Sequence, residues 1–170
     1  AVEEHLVEGS GYAVNKKDVV RIHLTVSPEH QASFVALLKK VQKKHEEFYR
    51  VAFEISYSIQ KPSTDTLAID EKNEPCRETN GTLHFRPGGH GALLENLNDI
   101  ESDIVFIKNI DNVCHDRNIQ DTLTYKKALA GLLIEYQSRI FLYLHQLEIK
   151  SASPELITEI IDFLSDELGT

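Results

Sequence analysis

Residues 19–60 constrain the fold more tightly than any other part of the chain. In VVRIHLTV, residues 19–26, Val20, Ile22, Leu24 and Val26 fall on one face, the period of a β-strand rich in β-branched side chains. Ser27-Pro28 then supplies an N-cap followed by proline at the first helical position, with Glu29 favourable in the first turn. Phe34, Leu37, Leu38, Val41, His45 and Phe48 recur at helical spacing, which predicts an amphipathic helix over 28–49. Lys39, Lys40, Lys43 and Lys44 lie on its other, solvated face. Residues 51–60 alternate strictly, with Val51, Phe53, Ile55, Tyr57 and Ile59 on one side, so a second strand follows. Strand, helix, strand makes a βαβ unit, and such crossovers are almost always right-handed.

The rest of the chain extends this pattern. Residues 61–81 are rich in Pro, Ser, Thr, Asp, Asn and Glu and read as a loop suited to a mobile flap, interrupted at Leu67-Ala68-Ile69 by a short strand. Thr82–Phe85 is a further short strand, and a helix carrying Leu93, Leu94 and Leu97 follows a glycine-rich turn. The apolar run DIVFI, residues 103–107, predicts a central strand covered on both faces. Residues 119–147 predict a long helix, and Ser153-Pro154 opens a last one with Leu156, Ile157, Ile160, Ile161, Phe163 and Leu164 turned inward. The expected fold class is α/β, a three-layer sandwich with a mostly parallel sheet. Residues 1–150 form its core, and 151–170 add a C-terminal helix to the same domain. Ligands on such sheets bind outside the carboxyl ends of the strands.

Charge narrows the function classes. The net charge is −9; residues 1–60 are balanced at eight basic and eight acidic side chains, but 61–170 carry ten basic and nineteen acidic. That acidic second half argues against binding a nucleic acid polymer, which requires a basic stripe. No apolar run is long enough to span a bilayer. Cys76 and Cys114 form no CxxC pair and read as two free thiols of a reducing compartment, so the expected setting is the cytoplasm. The sequence contains no methionine, which predicts an internal piece of a longer protein.

Two segments carry the residues suited to chemistry. In Phe85-Arg86-Pro87-Gly88-Gly89-His90-Gly91-Ala92, three glycines surround a histidine just before a helix, so backbone can approach a ligand without a Cβ in the way. The same turn can join strand to helix with no ligand at all. In Phe106-Ile107-Lys108-Asn109-Ile110-Asp111-Asn112, an apolar stretch ends in a polar cluster. Asp111 offers a hard carboxylate oxygen of the kind Mg²⁺ prefers, and Lys108 a point charge for a phosphate. An Asx turn that ends a strand would use the same residues. No other histidine stands at metal-ligand spacing.

Taken in order, Arg86-Pro-Gly-Gly-His-Gly-Ala, the asparagine-bearing Glu95-Asn-Leu-Asn and the run into Asn109-Ile-Asp-Asn resemble the core of the UTP–sugar-1-phosphate uridylyltransferases. They are closer still to a poorly characterised bacterial family of large nucleotidyltransferase-like proteins. The specific match covers about residues 82–116, with the βαβ pattern of 19–60 compatible. The resemblance implies a nucleotide-diphospho-sugar transferase-like fold and transfer of a uridylyl group from UTP to a sugar 1-phosphate with Mg²⁺. It places Pro87, Gly88, Gly89, His90 and Gly91 at the nucleoside, with Asn109 and Asn112 shaping the turn around the metal ligand Asp111. Asp111 and Lys108 would be the catalytic pair. His90 and Asp111 would then line one cleft at the ends of neighbouring parallel strands. Ala92 stands where that family usually has an acidic residue, and Lys108 where it has a small one. Nothing before residue 19 resembles the family's glycine-rich triphosphate loop, so little turnover is expected of this piece alone. The alternatives are a non-catalytic nucleotide-binding domain and an α/β protein-interaction module.

Overall fold

The computed structural model describes residues 2–114, 118–149 and 152–169. The chain divides into two compact units, Ala1–Ile119 and Gln120–Thr170, and each is described by itself.

The first unit is built on the expected βαβ motif. Strand β1 (Val19–Thr25) and strand β2 (Ala52–Ser58) pair in parallel from Val19 opposite Ala52 to Thr25 opposite Ser58, joined by helix α2 (Pro28–Tyr49). The helix starts with Pro28 in its first turn, although Ser27 makes no side-chain cap. It ends at Arg50, which donates its N–H to the Glu46 carbonyl and whose left-handed backbone (φ 57°) turns the Val51 N–H back to the same oxygen. Leu38 and His45 are the buried residues of α2, while Leu37 and Phe48 lie outside the seam and are exposed. The four lysines, Lys39, Lys40, Lys43 and Lys44, are exposed as well.

An unanticipated helix, α1 (Val2–Tyr12), completes the core. Leu6 joins Val20, Leu38 and Phe53 in the buried cluster, with Ile22, Leu24, Val41 and Ile55 packed around it. Gly9 lies so close to β1 that a Cβ there would sit 3.1 Å from Val20 Cγ1. Removing these four large side chains from water is the main source of stability in this unit, at about 1.5–3 kcal/mol each.

Parallel pairing turns the backbone of Ala52 and Ser58 toward β1 and that of Phe53, Ile55 and Tyr57 toward the outer edge of β2. Two side chains of α2 stand in for a third strand there. Glu46 Oε1 accepts from the Phe53 N–H (3.0 Å), and Gln42 Nε2 donates to the Phe53 carbonyl (2.9 Å). Beyond this plug, Ile55 and Tyr57 have no backbone partner on that edge among the described residues.

Residues 66–86 are more ordered than a flap. Strand β3 (Thr66–Leu67) pairs antiparallel with β4 (Phe85–Arg86). Isolated bridges join Ile69 to Pro75 and Arg77 to Leu83. Three residues spaced eight apart close a ring of backbone hydrogen bonds: Ala68 N–H to the His84 carbonyl, His84 N–H to Cys76, and Cys76 N–H back to Ala68, at 2.9–3.0 Å. Asp70 turns one corner by accepting from the N–H groups of Lys72 and Glu74. Asn80 turns another by accepting from Thr82, with Gly81 at φ 87°. Neither Cys76 nor Cys114 forms a disulfide.

Residues 103–107 are not a strand, which corrects the sequence expectation. Their backbone makes no ladder bonds, and exposure alternates along them instead. Ile104, Phe106 and Lys108 are half-buried, whereas Val105 and Ile107 are exposed. The covered side faces α1: Phe106 packs on Tyr12 with ring centroids 4.6 Å apart, Lys108 pairs with Glu8, and His5 Nε2 meets the Ile110 carbonyl. The apolar run therefore packs on a helix rather than entering the sheet, and only one of its faces is covered.

In the second unit, α4 (Ile119–Ile149) is followed by α5 (Pro154–Asp162) and a π-helical turn, Phe163–Glu167. Ser153 caps α5 by accepting from the Leu156 N–H. Phe163 is buried, between Tyr136 and Tyr143 with Arg139 over its ring. Leu156 and Ile160 are half-buried, but Ile157, Ile161 and Leu164, expected inside, are exposed. The molecule is thus a mixed α/β protein with a small parallel sheet.

Candidate functional site

The glycine-rich segment is held at the carboxyl end of β2 by a set of specific contacts. After β4, the chain passes Pro87 and Gly88, makes a 3₁₀ turn (His90–Leu93) and enters the short helix α3 (Leu94–Asn98). Asn96 Nδ2 donates to the Ile59 carbonyl (2.9 Å) and to Ser58 Oγ (3.0 Å). Lys61 Nζ pairs with Asp99 at 2.8 Å and also reaches the Glu95 carbonyl. The Asp99 hydrogen bond pushes the Lys61 ammonium above its ordinary pKa. Ser63 adds a longer contact to Glu95.

Only one of the three loop glycines is required by packing. A Cβ on Gly88 would lie 2.9 Å from both the Thr64 carbonyl oxygen and Ala92 Cβ, closer than atoms can stand. Cβ atoms on Gly89 or Gly91 would meet nothing within 4 Å. The loop is therefore pinned at Gly88 and open at Gly89 and Gly91. The His90 side chain is exposed and makes no hydrogen bond or ion pair among the described residues.

Beneath α3, the sheet face opposite α1 and α2 carries a polar network. Arg21 pairs with Glu54 across the strands at 2.8 Å. His23 is bracketed by two hydroxyls, Nδ1 to Ser56 Oγ and Nε2 to Ser58 Oγ, both 2.8 Å. Thr25 Oγ1 meets the same Ser58 oxygen at 2.9 Å. Ser58 thus links the strand ends to Asn96, with its one proton and two lone pairs fully used.

The second motif is placed differently. Lys108 forms an ion pair with Glu8, which is almost completely buried, and its own side chain is only 12% exposed. Tyr12, one turn further along α1, has its hydroxyl pKa pushed up to about 12, first by burial and then by the neighbouring Glu8 carboxylate. As the structure stands, Lys108 is committed to α1 and not presented to a phosphate. Asp111 is exposed, and its carboxylate has no hydrogen bond or ion pair among the described residues. Asn109 accepts from the Asn112 N–H through its backbone carbonyl, closing a backbone turn there. No hydrogen bond or ion pair joins Pro87–Gly91 to Lys108–Asn112 among the described residues.

For a divalent cation, the fit rests on Asp111 alone: a carboxylate with no partner among the described residues, in a turn flanked by two amide side chains. Among the described residues there is no cluster of three or more His, Cys, Asp or Glu side chains able to hold a metal. Mg²⁺ commonly takes one or two carboxylates together with substrate phosphates, so a single carboxylate suits it better than it would suit zinc. Sequence reasoning did not find Glu8, Ser58 or Lys61, and it noted Asn96 only as part of a pattern. What sets these four apart is their pairing, with partners 37 or 38 residues away for Asn96 and a hundred for Glu8.

Fold and site together define an α/β protein with a glycine loop docked at the carboxyl end of a parallel strand pair. The chain belongs to the family described as a domain of unknown function, DUF4301, whose model matches residues 1–170. No curated protein and no solved structure matches the chain. No helix among the described residues is long and apolar enough to cross a membrane.

Proposed function

We propose that this chain is the nucleotide-binding part of a uridylyltransferase-like protein, which transfers a uridylyl group from UTP to a sugar 1-phosphate and releases pyrophosphate. One observation carries the reading: the Pro87–Gly91 loop is docked at the carboxyl end of β2, where parallel α/β sheets bind their ligands. Gly89, His90 and Gly91 supply an open backbone edge and an unengaged imidazole for the nucleoside, with Pro87 and Gly88 fixing the turn. Asp111 would hold Mg²⁺, whose charge would offset that of the phosphates during the displacement. Asn109 and Asn112 shape its turn, and Lys108 anchors the segment to α1.

The reading also extends the sheet into the mostly parallel sheet of a three-layer sandwich. Its support is the outer edge of β2 left unpaired at Ile55 and Tyr57, together with the apolar faces of Val105 and Ile107 left uncovered. A cytoplasmic setting goes with it, in keeping with two cysteines that form no disulfide. A protein-interaction role has its own support in α4, where Tyr125, Leu129, Leu133 and Phe141 are each more than half exposed.

Calorimetric titration of the chain with UTP tests the reading without requiring turnover. Saturable binding that strengthens when Mg²⁺ is added is expected. No binding at millimolar UTP with Mg²⁺ present would reject it.

A further inference from the structure

We propose that Asn96 reads the base edge of the bound nucleotide by accepting a hydrogen bond from an imide N–H; this rests on the nucleotide reading of the Pro87–Gly91 loop. Asn96 is 5% exposed, and both of its donor contacts are accounted for. Nδ2 donates to the Ile59 carbonyl and to Ser58 Oγ. A carbonyl can only accept, so the amide cannot flip without setting Oδ1 against another oxygen. Its orientation is therefore fixed by the chemistry of its partners.

That orientation leaves Oδ1 buried with no hydrogen-bond partner. Burying an acceptor with no donor is unfavourable, and a donor supplied from outside the chain would relieve that cost. The polar side chains at the strand ends and on the following turn already have partners. Thr25 and His23 meet Ser58 Oγ, and Lys61 is held by Asp99 and Glu95. The vacant acceptor sits on the helix that the glycine loop leads into, five residues beyond Gly91. Nothing packs within 4 Å of the positions where Gly89 or Gly91 would carry a Cβ, so the turn ahead of Asn96 has room to yield to an incoming ring.

A fixed carboxamide oxygen selects for a donor and against an acceptor. The N3–H of uracil satisfies it. The N3 lone pair of cytosine opposes it, although the two rings are nearly the same size. Sites built around a buried hydrogen-bonding group reject analogues that leave it unpaired more strongly than sites built on shape alone.

The test uses the unaltered chain, so no variant has to fold. UTP, CTP and N3-methyl-UTP are titrated calorimetrically in the presence of Mg²⁺. UTP is expected to bind at least about tenfold more tightly than either of the other two, the factor that roughly 1.4 kcal/mol of lost interaction gives. Equal affinity for all three nucleotides would overturn the assignment of Asn96 and leave the nucleotide reading standing. N3-methyl-UTP binding as well as UTP, with CTP alone weakened, would also overturn it, because the N3 proton would then play no part. If none of the three binds, the nucleotide reading and the role of Asn96 fall together.

Discussion

The two segments that carry the sequence motifs are secured in opposite ways. The loop and helix over 87–99 are tied to β2 and the turn after it by several modest contacts, made by Asn96, Lys61, Ser63 and a glycine that tolerates no side chain. Among the described residues, 103–111 have no backbone ladder; Phe106 packs on Tyr12, His5 meets the Ile110 carbonyl and Lys108 pairs with the buried Glu8. Many weak contacts give a segment that no single loss releases. One buried charge pair concentrates the attachment in two side chains. The first arrangement spreads the attachment over several residues, and the second makes the placement of Asp111 depend on α1.

The largest expected effect comes from attacking the concentrated attachment. Lys108→Met leaves the Glu8 carboxylate buried without its counterion, and breaking such pairs typically costs about 3–5 kcal/mol. Chemical denaturation should show that loss. The double variant Glu8→Leu with Lys108→Met should recover most of it, since no lone charge remains. Strictly additive losses would mean that the two side chains are not coupled and that the contrast between the segments is misdrawn.

A smaller loss is expected at the distributed attachment. Gly88→Ala drives a methyl group against the Thr64 carbonyl, and overpacking of this kind costs about 1–3 kcal/mol. Gly89→Ala should be close to neutral because its Cβ would enter open space. Thermal melting of the two variants side by side checks the difference, and equal melting temperatures would contradict the close approach at Gly88.

The smallest effect is a pH dependence. Tyr12 ionises near pH 10 when unfolded, but its folded pKa is pushed up to about 12. Its contribution to stability is therefore complete below pH 10 and is lost as pH rises from there through 12. Because the ring is only half-buried, solvent screens part of the effect, and we expect about 1 kcal/mol. Denaturation midpoints of the Tyr12→Phe variant should fall less between pH 9.5 and 11.5 than those of the unaltered chain. An identical fall would remove Tyr12 from the account.

How much of this the sequence made legible depended on how local the cause was. The βαβ unit was readable to within a residue or two because alternation in 19–26 and 51–60 and the Ser27-Pro28 start are local signals. Helix α1 was not, since Gly9, Ser10 and Gly11 weaken its intrinsic propensity and the contacts of Leu6 and Gly9 with the core favour it instead. The run at 103–107 read as a central strand covered on both faces, because an apolar run does not specify its partner; one side of it packs against a helix instead. Residues 61–81 read as a loop from their composition, yet the ring of Ala68, Cys76 and His84 exists only through backbone bonds between separated segments. At the site, the glycines and Asp111 were visible as residue types. The commitment of Lys108 to Glu8 was not, because nothing local connects positions a hundred residues apart.

The central claim is that the two motifs serve one nucleotide, and Mn²⁺ in place of Mg²⁺ tests it most directly. A paramagnetic ion held by Asp111 broadens the NMR signals of nearby backbone amides. With Mn²⁺ and UTP together, the amides of Gly88–Gly91 and of Asn109–Asn112 should broaden at the same titration point, and Asp111→Asn should abolish both responses. Broadening confined to one segment, or unchanged by the loss of Asp111, would contradict the account.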